Sequence, residues 1–299
     1  MSQLKEIKVA LNRNEYGYHN IPSQKNIVNI EHSPRLNIGD TLGPVVVYWM
    51  LAQNNIDPQK KLSETRHLST IGSVIGRGKC DITVWGSGTL KNEIDLQKNL
   101  NSRLKRHRLL YHRKMDFRAV RGPYTREIVL ESGYQCPEIY GDPAVLMPYI
   151  YSPQNITKKY PVSIILHHRT QMTDSNSNNK YDLYIDPELI NSKNIHFIDP
   201  KTDDYQFFIN ELAASNYVIS SSLHGIILAE SYGVPAVFLN WGMDDQPIKF
   251  MDWYASTGRD MVFCETVEKA LNSPLPELPD LSSMQNAMMN TFPYDLWEA

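Results

Sequence analysis

Short apolar runs alternate with amphipathic runs along most of the chain, and turn residues separate them. The runs DITVWG (Asp81–Gly86) and VSIILHHR (Val162–Arg169) have the length and the branched apolar residues of buried strands. The segments PYTREIVLESG and DDYQFFINELAAS have helical spacing and begin with a proline or with aspartates. Because strands that alternate with helices form βαβ units, this pattern predicts an α/β fold with parallel sheets.

Other segments fit the same alternation. IKVAL (Ile7–Leu11) and MDFRAV (Met115–Val120) are predicted strands, and EIYGDPAVLM is predicted to be a strand, a turn and a short helix. The stretch NIGDTLGPVVVYWMLAQNN predicts a buried helix that Asp40 or Thr41 could cap.

The pattern breaks once, at the polar segment YSPQNITKKY (Tyr151–Tyr160), which has the composition of a linker. A chain of 299 residues is also long enough for two hydrophobic cores. We therefore predict two Rossmann-like, doubly wound domains, residues 1–152 and 153–299, with the C-terminal helix crossing back to the first. Ligands of such sheets bind beyond the carboxyl ends of the strands, so we expect the site in the cleft between the domains.

Composition excludes several classes of function. The formal net charge is −3, which gives no basic field for nucleic acid. The three cysteines fit neither a CxxC metal site nor a disulfide framework, and the histidines show no HExxH spacing. We expect no metal and no cofactor. SVIGRGKC lacks both the first glycine and the Ser/Thr of a phosphate loop.

No apolar run approaches the length of a membrane span, and the N-terminus lacks the pattern of a signal peptide, so we expect a cytoplasmic protein. The basic run RLKRHRLLYHRK (Arg103–Lys114) could contact an anionic membrane surface or the diphosphate of a lipid-linked oligosaccharide. A solvated helix face is the more ordinary interpretation of such a run.

The most informative stretch is YVISSSLHGIILAESYGVPAVFL, in which a strand ends near Ser220 and a helix starts near Leu223. The first turn of that helix has N–H groups without intrahelical partners and binds anions readily. His224 stands in this turn. The alternative is a histidine that only caps the helix, but the position at the sheet edge favours a functional role.

This stretch resembles the C-terminal motif of the polysaccharide pyruvyltransferase family. Five further motifs resemble that family's landmarks in the same order: NIGD, WGSG, RGPYTR, YGDPA and KFMDWYASTG. Together they span residues 37–258. Many members have arginine before the Leu-His pair, where this chain has Ser222, as in members resembling the exopolysaccharide ketal-pyruvate transferases.

The resemblance implies a GT-B-like pair of domains and a transfer of the pyruvyl group from phosphoenolpyruvate to a sugar acceptor, with phosphoenolpyruvate as a substrate rather than a cofactor. The acceptor could be a lipid-linked oligosaccharide. His224 is the expected proton donor, and Arg169 is expected to clamp the donor because a guanidinium forks onto carboxylate or phosphate. Further donor-binding candidates are Ser221, Ser222, Leu223, Gly225, Arg121, Arg126 and His168. Acceptor-binding candidates are Asn37, Gly39, Asp40, Gly86, Ser87 and Gly88.

Two alternatives to this function remain: a nucleotide-sugar glycosyltransferase of the same architecture, and a catalytically silent sugar-binding homologue. At the level of residues, Asp142 and Glu230 are alternative carboxylate bases. Asp142 has the position of a turn residue before Pro143, and Glu230 lies beyond the turn that carries His224.

Overall fold

A computed structural model describes residues 24–31, 36–75, 80–89, 114–173, 175–176, 182–241 and 248–298. Its architecture is α/β, with two four-stranded parallel sheets that follow one another along the chain. This confirms the fold class predicted from the alternation of strands and helices. The predicted strand Ile7–Leu11 lies outside the described residues.

The N-terminal sheet has its strands in chain order, β1-β2-β3-β4, and every neighbouring pair is parallel. The strands are β1 (Val28–Glu31), β2 (Arg66–Ser69), β3 (Ile82–Trp85) and β4 (Met115–Ala119). The helices of this half are α1 (Ile38–Gln53), α2 (Pro123–Glu131), the 3₁₀ helix Pro143–Leu146 and α3 (Met147–Ile150).

The C-terminal sheet has the order β10-β9-β5-β8, again parallel. The strands of this half are β5 (Val162–Ile165), β6 (Gln171–Met172), β7 (Asp182–Leu183), β8 (Ile195–Phe197), β9 (Val218–Ser220) and β10 (Ala236–Phe238). From β5 the chain first adds β8 on one side and then β9 on the other, so the order reverses between β5 and β9. Such a switch point is where ligands bind in doubly wound sheets.

Six helices surround or follow the C-terminal sheet in the described part of the chain. They are α4 (Pro187–Ser192), α5 (Tyr205–Ala213), α6 (Leu223–Ser231), α7 (Ile248–Ser256), α8 (Val267–Leu271) and α9 (Ser282–Asn290), and the 3₁₀ helix Tyr294–Trp297 ends the described chain. None of the helices in these described ranges is long and apolar enough to cross a bilayer.

The predicted elements at β3, β4, α2, β5, α5 and β9 are present. Strands β1 (VNIE) and β2 (RHLS) were missed; they are four residues long and carry polar residues inside the strand. The two-residue strands β6 and β7 were missed as well. The prediction that Asp40 or Thr41 caps α1 was wrong. The helix begins at Ile38 with Asn37 as its N-cap, so Asp40 lies inside the first turn, where a carboxylate is favourable beside the positive end of the helix.

One hydrophobic cluster contains residues of both halves, among them Leu42 of α1, Ala144, Leu223 of α6 and Trp253 of α7. The C-terminal segment packs against the N-terminal half. Nη1 of Arg66 donates to three carbonyl oxygens near the C-terminus, those of Asp295, Leu296 and Glu298, each at 3.0 Å. The two halves therefore share apolar contacts as well as the polar contacts of the site.

Candidate active site between the two sheets

The turn between β9 and α6 holds His224 at the carboxyl edge of the C-terminal sheet. Oγ of Ser220 donates to the carbonyl oxygen of Ile165 at 3.0 Å, and Oγ of Ser221 accepts from the N–H of His167 at 2.8 Å. Both bonds tie the turn to the end of β5. The start of α6 is thus fixed at the point where the strand order of the sheet reverses.

Close packing against β5 also fixes the start of α6. A Cβ at Gly225 would lie 2.4 Å from Oγ of Ser220 and 3.0 Å from Cγ2 of Ile165, so only glycine lets α6 approach β5 this closely. Ser222 and Leu223 are buried, and Ser222 is the N-cap without a side-chain cap bond. These predicted donor-binding residues build the turn, and their contact with a donor stays a prediction.

The ring of His224 contacts the N-terminal half at Gly39, the second residue of α1. A Cβ at Gly39 would lie 1.9 Å from Nδ1 and 2.5 Å from Cε1 of the ring. The first turn of α1 therefore meets the first turn of α6. Because the N-terminal end of a helix carries partial positive charge, the meeting of two such ends favours a bound anion.

The other ring nitrogen of His224 faces Asp142, which precedes the 3₁₀ helix Pro143–Leu146. Nε2 lies 3.3 Å from Oδ2 of Asp142, and both atoms are buried without a hydrogen-bond partner among the described residues. Oδ1 of Asp142 accepts from the N–H of Ala144 at 3.0 Å. The histidine is thus placed between an acid and a helix of the N-terminal half.

Arg121 is fully buried, and its guanidinium is surrounded by other residues. Nη1 donates to Oγ of Ser73 at 2.8 Å, and Nη2 donates to the carbonyl oxygen of Thr89 at 2.9 Å and to Oδ2 of Asp252 at 3.2 Å. Asp252 of α7 also accepts from the N–H and the hydroxyl of Thr125 in α2. These bonds join the two halves, and donor binding by Arg121 stays a prediction.

A second cation of α7 lies near the arginines. Lys249 is half-buried, with Nζ 4.9 Å from the ring centre of Phe250. Burial and repulsion by the charges of Arg121 and Arg169 lower the pKa of Lys249 to about 7. Two other positive groups are therefore close enough to repel the amine of Lys249, which indicates a place that an anion would stabilise.

Arg169 itself is exposed and lies in a turn four residues past the end of β5, whereas VSIILHHR was predicted to be a strand that ends at Arg169. His168 is half-buried, and its ring centre lies 4.1 Å from that of His167. Arg126 is bound by residues that follow α2: Nε donates to the carbonyl oxygen of Cys136 at 3.0 Å, and Nη1 lies 3.1 Å from Oε1 of Glu138.

The predicted acceptor residues line the carboxyl edge of the N-terminal sheet. Nδ2 of Asn37 donates to Oδ2 of Asp40 at 3.2 Å, and Oδ1 of Asp40 lies 3.5 Å from the position of a Cβ at Gly72. The Gly72 carbonyl oxygen accepts from Oγ of Ser87 at 2.8 Å and from the N–H of Gly88 at 3.0 Å. These contacts place Asn37, Asp40, Ser87 and Gly88 together.

Two glycines of WGSG are required by close approach. A Cβ at Gly86, where φ is 81°, would lie 2.3 Å from Cδ of Pro143. At Gly88 a Cβ would lie 2.4 Å from Cζ of Arg121. Gly88 thus brings the loop after β3 against the guanidinium of Arg121.

Glu230 has a structural role. Arg259 holds it through two bonds of 2.8 Å, and Nε1 of Trp253 donates to Oε2 at 2.8 Å. The hypothesis that Glu230 is a base is wrong, because these donors satisfy its carboxylate and fasten α7 to α6. The basic run Arg103–Lys114 lies outside the described residues except for Lys114.

Sequence reasoning missed Lys249 and Asp252. Both lie in KFMDWYASTG, a segment noted for its resemblance but given no role. Their spacing of three residues places them on one side of a helix, among apolar neighbours that are buried. Charged residues in such surroundings were the available signal. The described residues contain no group of three or more His, Cys, Asp or Glu side chains that could hold a metal ion.

Comparison with known proteins supports the motif assignment. The sequence model of the family described as polysaccharide pyruvyl transferase matches residues 42–242, about two thirds of the chain. The chain belongs to the polysaccharide pyruvyl transferase family. The match begins inside α1 at Leu42, covers the switch point and His224, and ends before α7.

Two relatives of the chain are 25% identical to it. It is 25% identical to the succinoglycan biosynthesis protein ExoV of Rhizobium meliloti (strain 1021) over 147 residues, which are 49% of this chain and 42% of that protein. It is also 25% identical to the uncharacterized protein L143 of Acanthamoeba polyphaga mimivirus over 218 residues, which are 69% of this chain and 67% of that protein. The chain thus spans less than half the length of ExoV.

Proposed function

We propose that this polysaccharide pyruvyl transferase uses phosphoenolpyruvate as its donor, attaches the pyruvyl group to sugar hydroxyls and closes a cyclic ketal in surface polysaccharide biosynthesis. The observation that carries the proposal is the place of His224, at the meeting of two helix N-termini and between the two sheets. Family membership and the likeness to a succinoglycan biosynthesis protein support the choice of reaction.

In this proposal the two parallel sheets belong to two Rossmann-like domains of a GT-B-like enzyme. The N-terminal domain holds the acceptor, and the C-terminal domain holds the donor at its switch point. The acceptor is a sugar, with a lipid-linked oligosaccharide as one form of it, and the transfer takes place on the cytoplasmic side.

The donor carries a phosphate and a carboxylate, so it needs more than one cationic contact. Arg169 and Lys249 supply side-chain charge, and the first turns of α1 and α6 supply partial charge from the backbone. Arg121 strengthens the positive potential from its buried position. An anion bound here relieves the repulsion that the two arginines exert on Lys249, and that relief contributes to affinity.

His224 acts as the general acid. Its proton passes to the methylene carbon of phosphoenolpyruvate, and the neighbouring carbon becomes an oxocarbenium-like centre that one sugar oxygen attacks. The hydroxyl that attacks gives up its proton, which restores the protonated histidine. The second hydroxyl then attacks the same carbon, the bond to the phosphate oxygen breaks, and the proton of that hydroxyl leaves with phosphate. In this proposal Asp40 orients the acceptor by accepting hydrogen bonds from its hydroxyls.

The proposal is tested by comparing donors on the purified protein. Phosphoenolpyruvate is expected to raise the melting temperature and uridine diphosphate sugars are not, because a ligand that binds only the native state stabilises it by about 2.7 kcal/mol at 100 times its Kd. Phosphate release with sugar acceptors is then measured for the protein and for His224→Gln. The variant is expected to lose roughly 10²- to 10⁴-fold in rate, the usual contribution of a general acid.

His196→Gln is the matched control, because Nε2 of His196 also faces a carboxylate, 2.7 Å from Oε2 of Glu211, and its ring is stacked on Tyr160. Its rate is expected to equal that of the unmodified protein. Stabilisation by uridine diphosphate sugars alone would replace the proposal with a glycosyltransferase. No stabilisation by either donor would indicate a silent sugar-binding homologue.

A further inference from the structure

Asp142 is one of the few fully buried carboxylates of the described chain, and only one of its oxygens is used by the backbone. Oδ1 accepts from the N–H of Ala144, whereas Oδ2 is buried, has no hydrogen-bond partner among the described residues and lies 3.3 Å from Nε2 of His224. Buried polar atoms without partners are rare because each costs roughly 1–3 kcal/mol. Two of them facing each other call for a functional explanation.

The surroundings of Asp142 prevent it from moving away. Gly141 has φ 154°, and a Cβ there would lie 2.7 Å from Cγ of Met284 in α9. On the other side, Pro143 packs so closely against Gly86 that a Cβ on Gly86 would lie 2.3 Å from Cδ of Pro143. The carboxylate is therefore held by the backbone and by its neighbours before any ligand binds.

The two nitrogens of His224 are in different surroundings. Nε2 is enclosed with Asp142, whereas Nδ1 lies at the first turn of α1, beside Gly39. The nitrogen that can reach an anion at the two helix ends is therefore Nδ1. A histidine whose one nitrogen is held by a buried carboxylate presents its other nitrogen in a fixed tautomer and orientation.

We propose that Asp142 is a positioning residue, which accepts the Nε2–H of His224 and thereby directs Nδ1 to the reacting carbon. The expected change in kcat rests on the proposed function. The expected tautomer of the ring is independent of it. Protonated His224 carries hydrogen on both nitrogens. When the proton on Nδ1 passes to the methylene carbon and forms the new C–H bond, the neutral ring that remains is the Nε2–H tautomer, which Asp142 stabilises. The contact shortens when the donor binds, as catalytic hydrogen bonds often do.

The decisive variant is Asp142→Asn. Its side-chain oxygen keeps the bond to the N–H of Ala144, so its amide NH₂ turns to Nε2 and donates to it. The neutral ring must then carry its hydrogen on Nδ1. We expect kcat to fall roughly 10²- to 10⁴-fold, in the range of a lost general acid, while the KM for phosphoenolpyruvate stays within about a factor of three.

The tautomer is measured directly by nitrogen–proton correlation spectra of protein labelled with ¹⁵N-histidine, at a pH where the rings are neutral. The signal of His224 is identified by its loss in His224→Gln. We expect Nε2–H in the unmodified protein and Nδ1–H in Asp142→Asn. Asp186→Asn is the matched control, because Asp186 is also followed by proline and caps its helix through a bond of 2.9 Å from the N–H of Glu188. It should change neither tautomer nor rate.

An Nδ1–H tautomer in the unmodified protein would overturn the inference even if Asp142→Asn did not fold. So would an Asp142→Asn variant with unaltered tautomer and kcat. If the tautomers were as expected but the unmodified protein transferred no pyruvyl group from phosphoenolpyruvate, the proposed function would fail and the positioning contact would stand.

Discussion

Two buried charged pairs join the two halves of this protein, and they differ in how fully they are hydrogen-bonded. Asp252 accepts from Arg121 and from two groups of Thr125, and Arg121 also binds Ser73 and Thr89. In the pair of Asp142 and His224, the two facing atoms have no hydrogen-bond partner among the described residues.

This difference in hydrogen bonding distinguishes a pair that holds the two halves together from a pair that can take part in a reaction. In the first pair the facing atoms are hydrogen-bonded and only Nε of Arg121 lacks a partner among the described residues, and breaking such a pair leaves a buried charge. A pair with open hydrogen-bonding capacity can still move a proton or tighten around a substrate. The first pair therefore aligns the two halves, and the second pair is available for the reaction that we propose.

The largest effect is expected from breaking the first pair. Asp252→Asn leaves the guanidinium of Arg121 buried without its counter-charge, and we expect the free energy of unfolding to fall by about 3–5 kcal/mol in urea titrations. The control is Asp116→Asn, because Asp116 pairs with Arg118 at an exposed position and should contribute less than about 1 kcal/mol. Equal losses in the two variants would remove the distinction between a holding pair and an ordinary surface pair.

A smaller effect is expected from moving the ring of His224 while both residues of the second pair are kept. Gly39→Ala places a Cβ 1.9 Å from Nδ1 of His224, so the ring must leave its position between Gly39 and Asp142. We expect a loss of about 1–3 kcal/mol from overpacking, partly offset by the higher helix propensity of alanine, and a fall in kcat of roughly tenfold or more.

Gly43→Ala lies one turn further along the same helix, where the nearest atom, Cγ2 of Thr70, would be 3.1 Å away. This variant controls for the added methyl group and should retain its activity. If Gly39→Ala were as active as Gly43→Ala, the position of the ring would not matter for the reaction.

The smallest effect concerns the protonation of Lys249 beside the first pair. Since the pKa of Lys249 is lowered to about 7, most of its amine is neutral at pH 8 in the free protein. A bound anion raises that pKa again, so binding of phosphoenolpyruvate at pH 8 is expected to take up as much as about one proton, and less at pH 6. Calorimetry in buffers of different ionisation enthalpy measures this uptake, and Lys249→Met should abolish it.

The lowered pKa of Lys249 also makes the stability of the free protein depend on pH. Between pH 7 and the unfolded value of 10.5, the unfolded chain binds the proton that folded Lys249 has lost, so this residue makes stability rise with pH in that window. Lys269→Met is the control, because Lys269 is exposed and Glu265 raises its pKa. Proton uptake that persisted in Lys249→Met would assign the anion site to other groups.

The sequence by itself determined the α/β class and the position of His224 at the end of a strand. Both follow from local periodicity, because an apolar run bounded by turn residues forms the same buried strand wherever it packs. The sequence also places Gly39 in NIGD and Gly86 in WGSG, but it does not show why glycine is needed at either position. The strands VNIE and RHLS were missed because four residues with polar members carry too little period to be recognised.

The tertiary structure alone decided which loops meet. Nothing near His224 in the sequence points to Gly39 or Asp142, and nothing near Arg121 points to Asp252, because these contacts depend on how two sheets and their helices pack together. The lowered pKa of Lys249 has the same origin, since two arginines from distant segments lie close to its amine. Local patterns fix elements through neighbours a few residues apart, whereas electrostatics in the site depends on distances through space.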